Sequence, residues 1–232
     1  ALTWTDDDSG LIIIAGEQAI HFARAIDLTH RKSVQIDKPV GPFDFRQLGT
    51  GENRRTFLAV AAGRQVRLFR WDGKFTLDRV ASPSKTLTLQ ISEADAKTTG
   101  VQLLPFGAGG IHVLVSARSS NPARRLLRWQ VSPEQWGLNV ADVDEPQRFL
   151  DSTPASADIT NLSLVQRPSA GSGEPNWLLT ATTEGNALGS AEVLCWRLAW
   201  KTTDQMGHEP RVVSFARGRG HPTQHHCLPH HP

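Results

Sequence analysis

Thr56-Phe57-Leu58-Ala59-Val60-Ala61, a turn containing Gly63, and then Val66-Arg67-Leu68-Phe69-Arg70-Trp71-Asp72 form the stretch whose reading decides the fold. The first run is short, apolar and rich in β-forming residues. The second follows a polar, glycine-bearing interval, Ala62 to Gln65. Two such runs separated by a short turn read as a β-hairpin.

Three further pairs of runs repeat this pattern: Leu11 to Ala15 with Ala19 to Ala25, Ile111 to Ser116 with Leu126 to Val131, and Trp177 to Ala181 with Val193 to Trp200. Their turns lengthen along the chain, from Gly16-Glu17-Gln18 to longer stretches holding Asn121-Pro122 and Gly185-Asn186. Between the hairpins lie additional strand candidates: Lys32 to Asp37, Phe43 to Leu48, Phe75 to Val80, Val101 to Phe106, Gln147 to Leu150 and Ile159 to Val165. Four short strands per unit, at a spacing typical of propeller blades, lead to the expectation of an all-β chain folded as a β-propeller of about four degenerate blades. The blades are expected at approximately 1–40, 41–82, 99–151 and 158–216, with an irregular His/Pro-rich tail over 217–232. Helical turns are expected only as loop decoration, over Ser92 to Thr99 and from Ser132-Pro133-Glu134-Gln135.

The chain resembles the WD40-repeat family in these units. Leu2-Thr3-Trp4-Thr5, the acidic Asp6-Asp7-Asp8-Ser9-Gly10 and Leu11-Ile12-Ile13-Ile14-Ala15-Gly16 follow that family's order of strand, acidic turn and strand. In the second unit the inner strands end in Trp71-Asp72, the dipeptide that names the family. Trp129 and Trp196 hold the matching place in the third and fourth units, without the aspartate, and no Gly-His pair precedes the inner strands at the family's usual place. The resemblance implies that Trp71, Asp72, Trp129 and Trp196 are structural repeat residues. It also implies a partial or split ring, since four blades leave two sheet faces and their strand edges open for other protein chains to complete. Over Phe57 to Asp78 the chain is also similar to the citron-homology propellers of vesicle-tethering and kinase proteins, which implies vesicle trafficking or GTPase regulation as an alternative.

Composition narrows the function classes. Of 232 residues, 39% are hydrophobic and 21% charged, enough for a packed core and against a disordered chain. A net charge of +2 from 25 basic and 23 acidic residues leaves no electrostatic footprint for nucleic acid. Local basic pairs such as Arg54-Arg55 and Arg124-Arg125 read as solvated turns. No apolar run reaches the roughly 20 residues of a membrane-spanning helix, and no secretory leader pattern opens the chain. Two cysteines, Cys195 and Cys227, are too few for a disulfide framework, although one bridge remains possible, so an intracellular setting is expected, nuclear or cytoplasmic.

The chemistry-bearing clusters each have a plainer reading. Asp6, Asp7 and Asp8 offer hard oxygen ligands for Ca²⁺, but without the alternation of a calcium loop they read as an acidic turn. Gly107-Ala108-Gly109-Gly110 is followed by an apolar strand pattern instead of the helix that a phosphate loop needs, so it reads as a tight turn. The tail gathers five of the nine histidines, His221, His225, His226, His230 and His231, around Cys227. Imidazole and thiolate suit Zn²⁺ or copper, yet the spacing fits no established finger, and a terminal extension is the plainer reading. Cys195, inside a strand pattern beside Trp196, reads as a small buried hydrophobe. No nucleophile elbow and no zinc-protease motif occurs. Trp136 and Trp200 stay open as exposed interface anchors. The resulting expectation is a non-catalytic protein-binding scaffold subunit of an intracellular multiprotein complex, with no cofactor and no metal. A propeller enzyme or metal-binding protein is a further alternative.

Overall fold

Every one of the four hairpins read from the sequence forms, and each is flanked by a strand on either side. The computed structural model describes residues 2–4, 10–49, 53–91, 97–106, 110–118, 126–132, 136, 147–148, 159–167, 176–184, 191–199 and 211–220. Within them, β1 (Leu2–Trp4), β2 (Leu11–Ala15), β3 (Ala19–Arg24) and β4 (Asp27–Gln35) make the first antiparallel sheet. The second contains β5 (Val40–Leu48), β6 (Arg55–Ala62), β7 (Gln65–Asp72) and β8 (Lys85–Gln90). The third contains β9 (Lys97–Phe106), β10 (Gly110–Arg118), β11 (Leu126–Val131) and β12 (Gln147–Arg148). The fourth contains β13 (Ile159–Arg167), β14 (Asn176–Glu184), β15 (Ala191–Ala199) and β16 (Arg211–Gly220). Each sheet runs in chain order, and no α-helix occurs among the described residues.

The two-residue period of a strand explains how the sheets share a core. In β6, Phe57, Ala59 and Ala61 face the third sheet, while Leu58, Val60 and Ala62 face the first. A strand buried on both faces reads as a continuous apolar run, as Phe57 to Ala62 does. In β7, Val66 and Leu68 likewise turn one way and Phe69 and Trp71 the other. The pairing of Ala62 with Gln65 fixes this register through a tight turn whose Gly63 adopts φ 64°, a conformation that costs glycine little. In β10, Ile111, Val113 and Val115 pack toward the second sheet and Leu114 toward the fourth. Three apolar layers therefore join the sheets in series.

Two local expectations change. Phe75 to Val80 is no strand: it holds a 3-10 turn at Leu77–Arg79 that places Phe75, Leu77 and Val80 in the core between the first and second sheets. The spacing of Leu77 and Val80 suits one face of a three-residue turn as well as it suits the end of a strand. The outer strand of that sheet is instead β8, whose Lys85-Thr86-Leu87-Thr88-Leu89-Gln90 alternates polar and apolar residues and buries Leu87 and Leu89. The last strand also continues to Gly220, beyond the expected start of the tail. Of the expected helical turn over Ser92 to Thr99, the described part, from Lys97, is already strand β9.

The larger correction concerns the architecture. The expected WD40-like β-propeller, whole or partial, is not the fold, and the WD-repeat and propeller designations fall with it. Among the described residues the chain forms four separate antiparallel sheets, none closed or curled as a ring or barrel requires. Among the described residues, core clusters join first to second, second to third and third to fourth sheet, and none joins the fourth back to the first. The physical reason is that a repeated hairpin pattern specifies pairing within a sheet. It carries no information on the angle between sheets, which side-chain packing at each junction sets.

Candidate functional site

The first strands of the second, third and fourth sheets, β5, β9 and β13, converge on a cavity of about 470 Å³. Each is an outer strand of its sheet, so one side of its backbone has no ladder partner within that sheet. Buried N–H and C=O groups in that position need other partners. Three polar side chains facing the cavity, Asp44, Arg46 and Gln102, supply them.

Asp44 and Arg46 stand two residues apart on β5 and so share a face. Arg46 Nε donates to Asp44 Oδ2 at 3.1 Å, with both side chains largely buried. The same carboxylate oxygen accepts the Leu103 backbone N–H of β9 at 2.8 Å, and Asp44 Oδ1 accepts the Phe45 N–H at 3.0 Å. Arg46 Nη2 reaches the fourth sheet, donating to the Leu164 carbonyl at 2.7 Å, and also meets Gln102 Oε1 at 3.4 Å. Its guanidinium lies 5.6 Å from the centre of the Trp177 ring.

Gln102 repeats on β9 what Asp44 does on β5. Its Oε1 accepts the Leu164 N–H at 3.1 Å, and its Nε2 donates to the Leu162 carbonyl at 3.1 Å. Thr99 adds a bond from its hydroxyl to the Ile159 carbonyl at 2.7 Å. This junction is tight: a Cβ on Gly100 would come within 2.6 Å of Leu162 Cβ, so only glycine lets β9 approach β13 this closely. Burial pushes the Asp44 carboxyl above its ordinary range, against the opposing pull of the Arg46 charge and the Leu103 N–H. Chemically the cluster is a set of side-chain ties between sheets, charge-assisted at Asp44 and Arg46. Among the described residues no group of three His, Cys, Asp or Glu side chains is placed to hold a metal ion.

The residues singled out from the sequence lie elsewhere. Trp71 is fully buried between the first and second sheets, 5.1 Å from Phe75 and 6.5 Å from Phe22 by ring centres, and its Nε1 donates to the Arg79 carbonyl at 2.9 Å. Asp72 takes a two-pronged bond from Arg70, at 2.8 and 3.0 Å, and lies 4.0 Å from Arg55. Its described partners are thus arginines and not the histidine of a Trp-Asp repeat. Trp129 is buried between the second and third sheets. Trp136, expected as an exposed anchor, is also buried there, with its ring 5.9 Å from Phe57 and the Arg70 guanidinium 5.4 Å away. Trp196 lies in β15, in register with Leu179 and Phe215. Cys195 beside it is buried, opposite Thr180 and Ala216. Trp200, Asp6 to Asp8, Gly107 to Gly109, Cys227 and the tail histidines lie outside the described residues. Gly110 opens β10, as a turn leading into a strand requires.

Asp44, Arg46 and Gln102 escaped the sequence reading. The one signal, for Asp44 and Arg46, is the alternation Phe43-Asp44-Phe45-Arg46, which puts two opposite charges on the same face of a largely apolar strand.

No family model matches the chain, and no curated protein matches it either. The WD40-like and citron-homology likenesses therefore gain no support from sequence comparison, in line with the fold. No helix among the described residues is long and apolar enough to cross a membrane.

Proposed function

We propose that the chain is a non-catalytic, protein-binding scaffold subunit of an intracellular multiprotein assembly. The observation that carries this reading is how the cavity's polar groups are spent. Asp44, Arg46, Gln102 and Thr99 direct donors and acceptors at the backbone of a neighbouring sheet, so they hold strands in place. A catalytic acid or base instead keeps its reactive atom within reach of a substrate. Sheets joined in series offer outer strands and end faces as contact surface. On the fourth sheet, Val165 is half exposed opposite the partly exposed Leu178.

Cross-linking in the native cell, followed by purification of the chain and identification of what is attached, tests the reading. Recovery of a constant set of partner proteins in fixed proportion is the expected result. A chain recovered alone, with an activity that Asp44→Asn abolishes while the fold survives, would overturn it.

A further inference from the structure

The outer strand of the first sheet has a composition that the core does not explain. From Asp27 to Lys32 every side chain of β4 is exposed. At its start, Ile26 is 93% and Leu28 56% exposed, and among the described residues only Val165 joins them as an exposed large apolar side chain. Arg24, His30, Arg31 and Lys32 flank this pair along the chain, all exposed. No strand lies on the outer side of β4 among the described residues, so its edge amides and carbonyls face outward.

The tip is ordered. Asp27 Oδ1 accepts three bonds, from the Thr29 hydroxyl at 2.6 Å, the Thr29 N–H at 3.1 Å and the His30 N–H at 3.3 Å. These bonds fold Asp27 to His30 into a local turn that interrupts the ladder between Ala23 and Arg24. The one acid of the tip, Asp27, keeps its charge while it is engaged with its own backbone, and Arg24, Arg31 and Lys32 outnumber it.

Charged residues on an outer strand commonly keep copies from pairing edge to edge. Protection alone would not place Ile26 and Leu28 in water at the same edge, because apolar exposure works against it. We propose that this edge binds an acidic, extended protein segment, whose backbone pairs with β4 beyond the turn, from Arg31 on, and whose apolar side chains cover Ile26 and Leu28 while its carboxylates meet Arg24, Arg31 and Lys32. The proposal rests on the protein-binding reading above and adds a place and a partner chemistry to it. A strand addition satisfies the outward-facing backbone groups, which a lipid surface does not.

The test titrates the full chain into a labelled peptide alternating Glu with Val and into one alternating Lys with Val. Vesicles of phosphatidylserine and phosphatidylcholine form a third arm. Two double variants accompany the wild type: Arg31→Glu with Lys32→Glu, and Ile26→Ser with Leu28→Ser. All four positions are exposed, so the fold is kept, and circular dichroism checks this. The Glu–Val peptide is expected to bind about tenfold or more tightly than the Lys–Val peptide, and to weaken as salt rises. Each double variant should lower its affinity by about tenfold. Equal binding of the two peptides, unchanged affinity in the variants, or capture by vesicles without capture of the Glu–Val peptide would overturn the proposal. The partner set recovered from cells separates this failure from that of the scaffold reading. If the charge-reversed chain retains every partner of the wild type, the scaffold stands and the β4 site falls. If the wild type has no partner and still binds the Glu–Val peptide, the β4 site stands and the scaffold falls.

Discussion

The junction between the first and second sheets and the junction where β5, β9 and β13 meet solve one problem with opposite chemistry. At the first, Phe22, Phe45, Trp71 and Phe75 pack ring against ring within 6.5 Å, and the one polar handle in the group, Trp71 Nε1, is satisfied by a carbonyl. At the second, Asp44, Arg46 and Gln102 bond to backbone groups of the adjoining sheets. Apolar packing is large in magnitude but tolerant of small slides, whereas a carboxylate aimed at one amide fixes the position of one strand past the next. The comparison teaches that the same hairpin pattern can be joined by adhesive or by directional contacts, and that the directional ones line the cavity.

The largest effect is expected at the aromatic junction. Trp71→Ala removes a fully buried ring at a cost of about 3–5 kcal/mol, a large share of the roughly 5–15 kcal/mol of an ordinary domain. Thermal denaturation should show a sharply lowered Tm. A variant that melts like the wild type would mean that the aromatic cluster is not what holds the first two sheets together.

A smaller loss, about 2 kcal/mol, is expected for Asp44→Ala, which leaves the Leu103 N–H and the Arg46 guanidinium short of an acceptor. The polar junction also carries a pH signature that the aromatic one lacks. Because the folded-state pKa of Asp44 lies above its ordinary value of 3.8, the folded chain binds that proton more tightly than the unfolded chain. The stability of the wild type relative to Asp44→Asn should therefore rise as pH falls from neutrality through the raised value toward 3.8. Chemical denaturation of both proteins across this range measures it, and a difference that falls with acid would reverse the sign of the burial argument.

The sequence carries the strands far better than the joins between them. Thr56 to Ala62 and Gln65 to Asp72 declare a hairpin because apolar runs and a glycine turn are local signals. The alternation of Lys85 to Gln90 is an equally local strand signal, whereas Phe75, Leu77 and Val80 are spaced as well for a 3-10 turn as for a strand. The sheet junctions are a different matter. Asp44 meets Leu103, and Gln102 meets Leu164, across long stretches of chain that no local pattern spans. The ring expected from the repeat spacing failed for the same cause, since nothing in a hairpin's own residues states which way the next sheet turns. Trp136 was misplaced at the surface because a tryptophan in a polar stretch gives no sign that Phe57 and Arg70 wait for it in the fold.

At the small end, Asp72→Ala should cost about 1 kcal/mol, since the Asp72 carboxylate is 43% exposed and water can partly replace it at the largely buried Arg70. Its Tm should stay close to that of the wild type. A loss matching that of Trp71→Ala would make Asp72 a hub of the second sheet and erase the contrast between the two residues.

Amide hydrogen exchange at Leu103 and Leu164 tests most directly the claim that side chains tie the sheets together. Both amides sit on the outer side of a sheet's first strand, where the acceptors are Asp44 Oδ2 and Gln102 Oε1. The account predicts slow exchange of both in the wild type. Asp44→Ala should speed Leu103, and Gln102→Ala should speed Leu164, each by about tenfold or more beyond the change that the loss of overall stability gives the ladder amides inside β6 and β10. Fast exchange of both amides in the wild type, or rates that neither substitution changes, would contradict it.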